Sequence, residues 1–461
     1  MRLLDSVLKT ILSILLVLVL GLAPARGGEP AAWKLGTAQT EITPREPLWL
    51  AGYGGRDRPS EGTLHQLWVK ALALDAADGG RAVIVTTDLL GFPKGLADRI
   101  CAELGKRCGL DRSRIMLTSS HTHCGPVLQA GLTDIYPMEK FPEQPARIEA
   151  YSAELVQKVV ETAAKALSAT EPGTLWCGEG KTEFAVNRRN NAEGQVEEIR
   201  KRGEALRGPV EHSVPVLAAR APDGAPRAVV FGYACHNTTL SFYQWCGDYS
   251  GFAQIDLQER HPGMLAMFYM GCGADQNPLP RRTVELCQKY GSMLAGAVDD
   301  VLAKSLRPVA PRIRAAFEVL DLPFGEQPTR EELEATAKKS GYTARWAKRL
   351  LDELDAGRVW ATSYPYPVQV WKLGEEQLWI VLGGEVVVDY AIRFKSQFGP
   401  RTWVTGYAND VMSYIPSHRV WEEGRYEAGA FNVYGLPAER WCEDIEERIA
   451  ACAERLAARV E

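Results

Sequence analysis

The apolar positions of this chain fall into short β-type runs that alternate with amphipathic stretches. Leu67–Leu74 and Ala82–Thr87 are joined by a polar turn over Asp75–Gly80, a pattern that predicts a hairpin. A helix is expected from about Leu96 to Arg107, and Arg114–Thr118 then returns as a strand. Strand, helix, strand is the rhythm of a layered α/β domain, whose functional groups gather beyond the strand C-termini.

Further along, residues 127–145 carry no period and predict a lid-like loop, followed by a helix over about Ala146–Ala169. Val214–Ala218 and Ala228–Tyr233 predict a second strand pair, and Met264–Met270 another buried strand. A helix over about Thr283–Ala303 leads to a strand-rich link, Pro308–Phe324. Thr329 with Glu332 is a capping box, so the charged helix running to about Asp355 needs no functional explanation. Two strands, Val368–Leu373 and Leu378–Leu382, precede Gly383-Gly384-Glu385, and an amphipathic helix over Ala438–Val460 closes the chain. The expected fold is α/β, with layered mixed β-sheets and flanking helices.

The N-terminus follows a different pattern. Met1-Arg2 and Lys9 precede the apolar run Ile11–Leu22, and Ala23-Pro24-Ala25 supplies the small residues of a cleavage site. A signal peptide over residues 1–25 is expected, with 26–461 as one catalytic domain that is secreted or periplasmic. An uncleaved anchor is the alternative.

Several predicted strands end on residues able to bind a metal. Arg114–Thr118 runs into His121 and His123, which share one face if the backbone stays extended there. Ala228–Tyr233 runs into His236, and Met264–Met270 into Asp275; Glu385 follows the late strand pair. The chain has only seven histidines, so three at strand ends point to zinc, which takes neutral imidazole readily and needs three protein ligands plus an open position for catalysis. Each residue also has a plainer role available: a turn cap or packed ring for the histidines, a turn residue for Asp275, a helix N-terminal acid for Glu385. Arg188 and Arg189 lie among three asparagines and suit an anion or a substrate, or a solvated loop. The glycine-rich stretch Leu50–Arg56 lacks the Gly-Lys-Ser/Thr of a phosphate loop and predicts a tight turn.

Composition narrows the classes. The 461 residues can bury a large core, and a net charge of −5 offers no basic face for nucleic acid. Ten cysteines without a Cys-x-x-Cys are consistent with an oxidising compartment and argue against a structural zinc knot.

From about Gly36 to Gly435 the chain resembles the neutral (non-lysosomal) ceramidase family in its catalytic N-terminal region. His121-Thr122-His123-Cys124-Gly125-Pro126 is similar to the family's most specific signature, and His236 and Gly247-Asp248-Tyr249-Ser250-Gly251 match its second histidine motif and the loop after it. Gly384-Glu385, the tyrosines Tyr414 and Tyr426, and Arg188 match further motifs. The resemblance implies one zinc per chain held by His121, His236, Glu385 and Tyr414, with His123 and Tyr426 facing the substrate oxyanion and Arg188 orienting the substrate. It implies hydrolysis of an N-acyl, ceramide-like amide, a small-molecule or lipid substrate, and is compatible with peripheral membrane contact. Zinc acidifies water and polarises a carbonyl, which is what amide hydrolysis needs near neutral pH.

Two departures stand out. Asn277 occupies the position of a family serine in Gly273-Ala274-Asp275-Gln276-Asn277-Pro278, so attack by activated water is expected rather than by a serine. The family's C-terminal immunoglobulin-like domain has no counterpart after the match. The alternatives are a zinc hydrolase acting on an ester, a phosphoester or a glycoside, and a non-catalytic binder of lipid or carbohydrate.

Overall fold

The expected hairpin forms, and it extends in both directions into a nine-stranded sheet. The computed structural model describes residues 33–304 and 306–461, so the expected signal peptide lies outside the described residues. The sheet comprises β1 (Trp33–Glu41), β2 (Trp68–Asp75), β3 (Arg81–Thr87), β4 (Ile115–Ser119), β5 (Glu171–Lys181), β6 (Ser213–Arg220), β7 (Pro226–Tyr233) and β8 (Leu265–Met270), with Arg307–Val309 paired to β5. Its order is β8-β7-β6-β5-β1-β2-β3-β4. Strands β3 and β4 run parallel around the helix Lys94–Cys108, the crossover unit that the sequence pattern predicts. The β7–β8 pair is also parallel, while the pairs between are antiparallel.

A second sheet is built from β9 (Ile313–Pro323), β10 (Ser363–Leu373), β11 (Gln377–Leu382) and β12 (Trp403–Thr405). Trp371, Trp379 and Trp403 from this sheet share one buried core with Leu72, Ile84, Met116, Val230 and Met267 of the large one. The opposite face of the large sheet is covered by the helices Gln144–Ser168, Asp248–Arg260 and Val284–Lys304, and the second sheet is backed by Ile445–Arg459. Helix, sheet, sheet, helix is therefore the layer order. Strands covered on both faces read as near-continuous apolar runs, which is why β3, β4 and β8 show little alternation.

The strands that precede His121 and His236 lie toward opposite ends of the sheet order. The segment after β12 joins those ends. Gly406 donates to Met270 at 3.2 Å, at the end of β8, and Asn409 donates to Leu117 at 2.8 Å, within β4. The sheet is thus curled so that its two terminal strands flank Thr405–Asn409, which brings both histidine loops to one place.

Two helix expectations need correction. The charged helix expected after Thr329 is two helices, Arg330–Ala337 and Tyr342–Asp355, because Gly341 adopts a left-handed φ of 82° between them. The last helix starts at Ile445 rather than near Ala438, since Trp441 and Cys442 are engaged with the loops at Tyr414 and Pro323. The loop over 127–145 has only a short 3₁₀ turn, Met138–Lys140, and it is pinned: Tyr136 stacks on Trp49 at 5.0 Å and Asp134 is clamped by Arg349 at 2.8 Å. All ten cysteines fall within the described residues and are free thiols.

Candidate metal centre

His121 does not continue its strand. Strand β4 ends at Ser119 and His121 adopts a left-handed φ of 57°, unusual for a residue with a side chain. The two imidazoles converge because the backbone reverses, not because of a period of two, and their ring centroids are 4.9 Å apart. Strain of this kind persists where the surroundings hold it. Here His121 Nδ1 donates to the Leu90 carbonyl at 2.7 Å, which fixes the ring.

His236 is held the same way, with Nδ1 donating to the Gly273 carbonyl at 2.9 Å. A carbonyl only accepts, so both rings carry their proton on Nδ1 and present a bare Nε2. Those two nitrogens face Glu385 Oε2 at 3.3 Å and 3.1 Å. His123 Nε2 lies 3.2 Å from His121 Nε2. His121, His123 and His236 form a buried group spaced to hold a metal ion.

The donor set fits a cation. Burial, reinforced by Arg188, lowers His236 to about 4 and keeps it neutral; burial also lowers His123, with the other two imidazoles adding to the effect. His121 and His236, each braced at Nδ1, thus turn Nε2 toward the carboxylate oxygen Oε2 of Glu385. Among the described residues, His236 Nε2 and Glu385 Oε2 are buried without a hydrogen-bond partner. Fixing the far nitrogen of a ligand histidine on a carbonyl is the usual support of a metal site.

The glycine-rich turn is part of the site. A Cβ on Gly52 would lie 2.2 Å from His123 Nδ1, and Gly52 has a left-handed φ of 96°, so its bare backbone makes room for the ring. Tyr53 lies against the same imidazole at 4.6 Å. The Gly247–Gly251 motif buttresses His236 instead of reaching the cluster. Asp248 accepts from Thr239 and Leu240 at 3.0 Å and 2.8 Å, and Asn237 donates to Gly247 and Ser250.

The remaining predicted residues form a second layer of contacts. Arg188 donates to Glu427 at 2.8 Å, to Tyr414 at 3.3 Å and to Asn277 at 3.4 Å. Tyr414 is buried, with its ring parallel to His236 at 6.4 Å, and Tyr426 packs on it at 5.2 Å while remaining 48% exposed. Asp275 is fully buried, and its carboxylate is already engaged by the Val388 amide at 2.8 Å and Asn187 at 3.1 Å. Its backbone carbonyl takes the Arg188 amide at 2.8 Å. Asp275 therefore acts through the Arg188 and Glu385 segments. Arg189, which had shared the anion-binding expectation, is buried and spent on Glu423 and Glu427.

Tyr434 was not visible in the sequence pattern. It sits in the short helix Phe431–Tyr434 and donates to Glu385 Oε1. No period or motif marked it, because its partner is 49 residues away. Glu427, the neighbour of Tyr426 in the chain, ties both arginines to the site.

Three buried histidines, two of them braced by carbonyls, meet one carboxylate in an arrangement that could hold a metal ion. Residues 33–265 match the family described as neutral/alkaline non-lysosomal ceramidase, N-terminal. The chain belongs to this family of amide hydrolases. Its fold is similar to that of neutral ceramidase from Pseudomonas aeruginosa, at a TM-score of 0.69 and 17% identity over 94% of this chain and 75% of that one. A structure of a ceramidase complexed with C2 gives a TM-score of 0.69 at 16% identity, over 94% of this chain and 76% of that one. No curated protein matches the sequence. No helix among the described residues is long and apolar enough to cross a membrane.

Proposed function

We propose that this chain is a zinc-dependent hydrolase that cleaves the amide of an N-acyl, ceramide-like lipid. The observation that carries the reading is the meeting of bare imidazole nitrogens and a carboxylate in a buried space, in a member of a ceramidase family. His121, His236 and Glu385 would hold the ion, with Tyr414 as the fourth ligand and His123 beside them. Bound zinc supplies a polarised carbonyl and a water acidic enough to react near neutral pH, with a pKa of about 7.

The chain's own groups do the rest. Tyr426 is raised to about 12 by burial, with Glu385 adding to the rise, so its hydroxyl keeps its proton at neutral pH and donates to the developing oxyanion. His123, whose Nε2 faces the centre, would turn an N–H toward the developing oxyanion. Arg188 stays cationic and orients the substrate from beside Tyr414. Asp275 keeps Arg188 and the Glu385 segment in place. Asn277 offers no nucleophilic oxygen, in keeping with attack by water. The chain would work outside the cytoplasm, as a secreted or periplasmic enzyme, after removal of residues 1–25.

Metal analysis of the purified chain together with a substrate panel tests the proposal. One zinc per chain is expected, with fatty-acid release from ceramide or a related N-acyl amine that stops with chelator and returns with zinc. Turnover confined to esters, phosphoesters or glycosides would sink the amide reading, and a zinc-loaded chain that turns over nothing would leave a binder.

A further inference from the structure

A cavity of about 250 Å³ adjoins the metal centre, lined by Leu90, Val127, Leu132, Val411 and Leu436 among other apolar groups. It shares two walls with the centre. The Leu90 carbonyl braces His121, and Tyr434, which also lines the cavity, holds Glu385. The space beside the centre has room on the order of eight waters.

One group there does not belong in an apolar pocket. Asp410 lines the cavity and is only 3% exposed. Its Oδ2 accepts the Tyr364 hydroxyl at 2.7 Å, but its Oδ1 has no hydrogen-bond partner among the described residues. A buried carboxylate oxygen left unpaired is costly, more so when charged, so its retention asks for a partner. Tyr364 is committed to the other oxygen. Lys94, at the start of the helix Lys94–Cys108, lines the same cavity, pairs with Asp98 at 2.5 Å, and through its charge and backbone N–H holds the Asp410 carboxyl lower than burial alone would. That ammonium works against a cationic guest.

We propose that this cavity receives one short arm of the amide substrate, and that Asp410 selects an arm ending in a neutral hydroxyl. This rests on the amide-hydrolase reading above. The hydroxyl donates to Asp410 Oδ1, the chain ahead of it lies along the leucines and valines, and the reacting amide reaches the imidazoles. Burial raises the Asp410 carboxyl to about 7. A hydroxyl, unlike an ammonium, can pair with that group in either protonation state, by donating to the carboxylate or accepting from the acid. A methyl end leaves Oδ1 unpaired, and sites that read a hydroxyl reject the analogue lacking it strongly.

Paired N-acyl amides that differ only in a terminal hydroxyl or methyl on a six-carbon arm provide the test. The native chain should favour the hydroxyl form by at least about tenfold in kcat/KM, and Asp410→Leu should remove that preference, mainly through KM. An undiminished ratio in a folded Asp410→Leu chain overturns the proposal. Asp410→Asn retains an acceptor for Tyr364 and offers an amide N–H where Oδ1 stood, so it guards against misfolding of the leucine variant and should keep part of the ratio that the leucine variant loses. Binding of hexanediol against hexanol, followed by NMR on the same chains, gives a readout free of catalysis. Diol binding that depends on Asp410 in a chain with no amidase activity would sustain the pocket and sink the amide reading. Amidase activity without any diol preference would do the reverse, leaving Asp410 as a partner for ordered water only.

Discussion

The Tyr434 hydroxyl donates to Glu385 Oε1, the oxygen not aimed at His121 and His236. One carboxylate thus has two jobs divided between its oxygens: Oε1 is anchored and Oε2 is left bare. Residues that orient a ligand in this way tune affinity without touching the ion, by about 10- to 100-fold. Tyr434→Phe should therefore lower zinc affinity within that range while leaving the chain folded, as read by competitive chelator titration and thermal melting. Unchanged affinity would mean that Glu385 is held by its backbone alone.

Gly52 controls the other side of the centre. An alanine there would need a left-handed backbone and would drive its Cβ to 2.2 Å from His123 Nδ1. The ring has no retreat, since Tyr53 and His236 pack against it at 4.6 Å and 5.6 Å. Gly52→Ala is expected to destabilise the chain by at least about 1 kcal/mol and to reduce turnover of whatever amide the native enzyme cleaves. Denaturant melts and single-substrate kinetics on the same preparation check both effects, and native values in either would show that the loop can shift.

Much of this centre could be read from the chain because strand ends are marked locally. An apolar run followed by histidine, or by Gly-Gly-Glu, is visible in a dozen residues, and the structure brings His121, His123, His236 and Glu385 within contact of one another. What the chain did not reveal depends on how distant segments meet. The left-handed turn at His121 answers to Leu90, and the closeness of the two sheet ends answers to Thr405–Asn409. Tyr434 belongs to the same class, whereas the break at Gly341 had a local mark, the Ser340-Gly341 pair, which the capping box upstream outweighs.

Asp275 gives the stability curve a predicted slope. Burial raises its carboxyl from 3.8 to about 6 in the folded chain. The folded state therefore binds this proton more tightly than the unfolded state does, so stability contributed by the group falls as pH rises through the window from about 4 to about 6 and then levels off. The full span is on the order of 3 kcal/mol. Asp275→Asn removes the titration, so the stability of the metal-free native chain minus that of the variant should decline with pH across this window. Urea melts at half-unit intervals measure it; a flat difference would place the folded carboxyl at an ordinary value and a rising one below it.

Tyr426 and Asn277 together test the chemistry. Tyr426 packs on Tyr414 and stays half-exposed, so its hydroxyl is open to a substrate while its ring is held, and it is not among the groups facing Glu385 Oε2. Asn277 reaches only Arg188 among its side-chain partners and brings no hydroxyl to the site. If water attacks and Tyr426 stabilises the oxyanion, Tyr426→Phe should lower kcat about a hundredfold, because one oxyanion donor is worth about 3 kcal/mol. Zinc content should stay at the native level and KM should change little, which separates a transition-state role from ground-state binding. Asn277→Ser should not be needed for turnover, and no acyl-enzyme should accumulate in a rapid-quench burst. A native chain that is silent on every amide, yet gains activity with Asn277→Ser, would instead show that the asparagine keeps a serine-dependent site switched off.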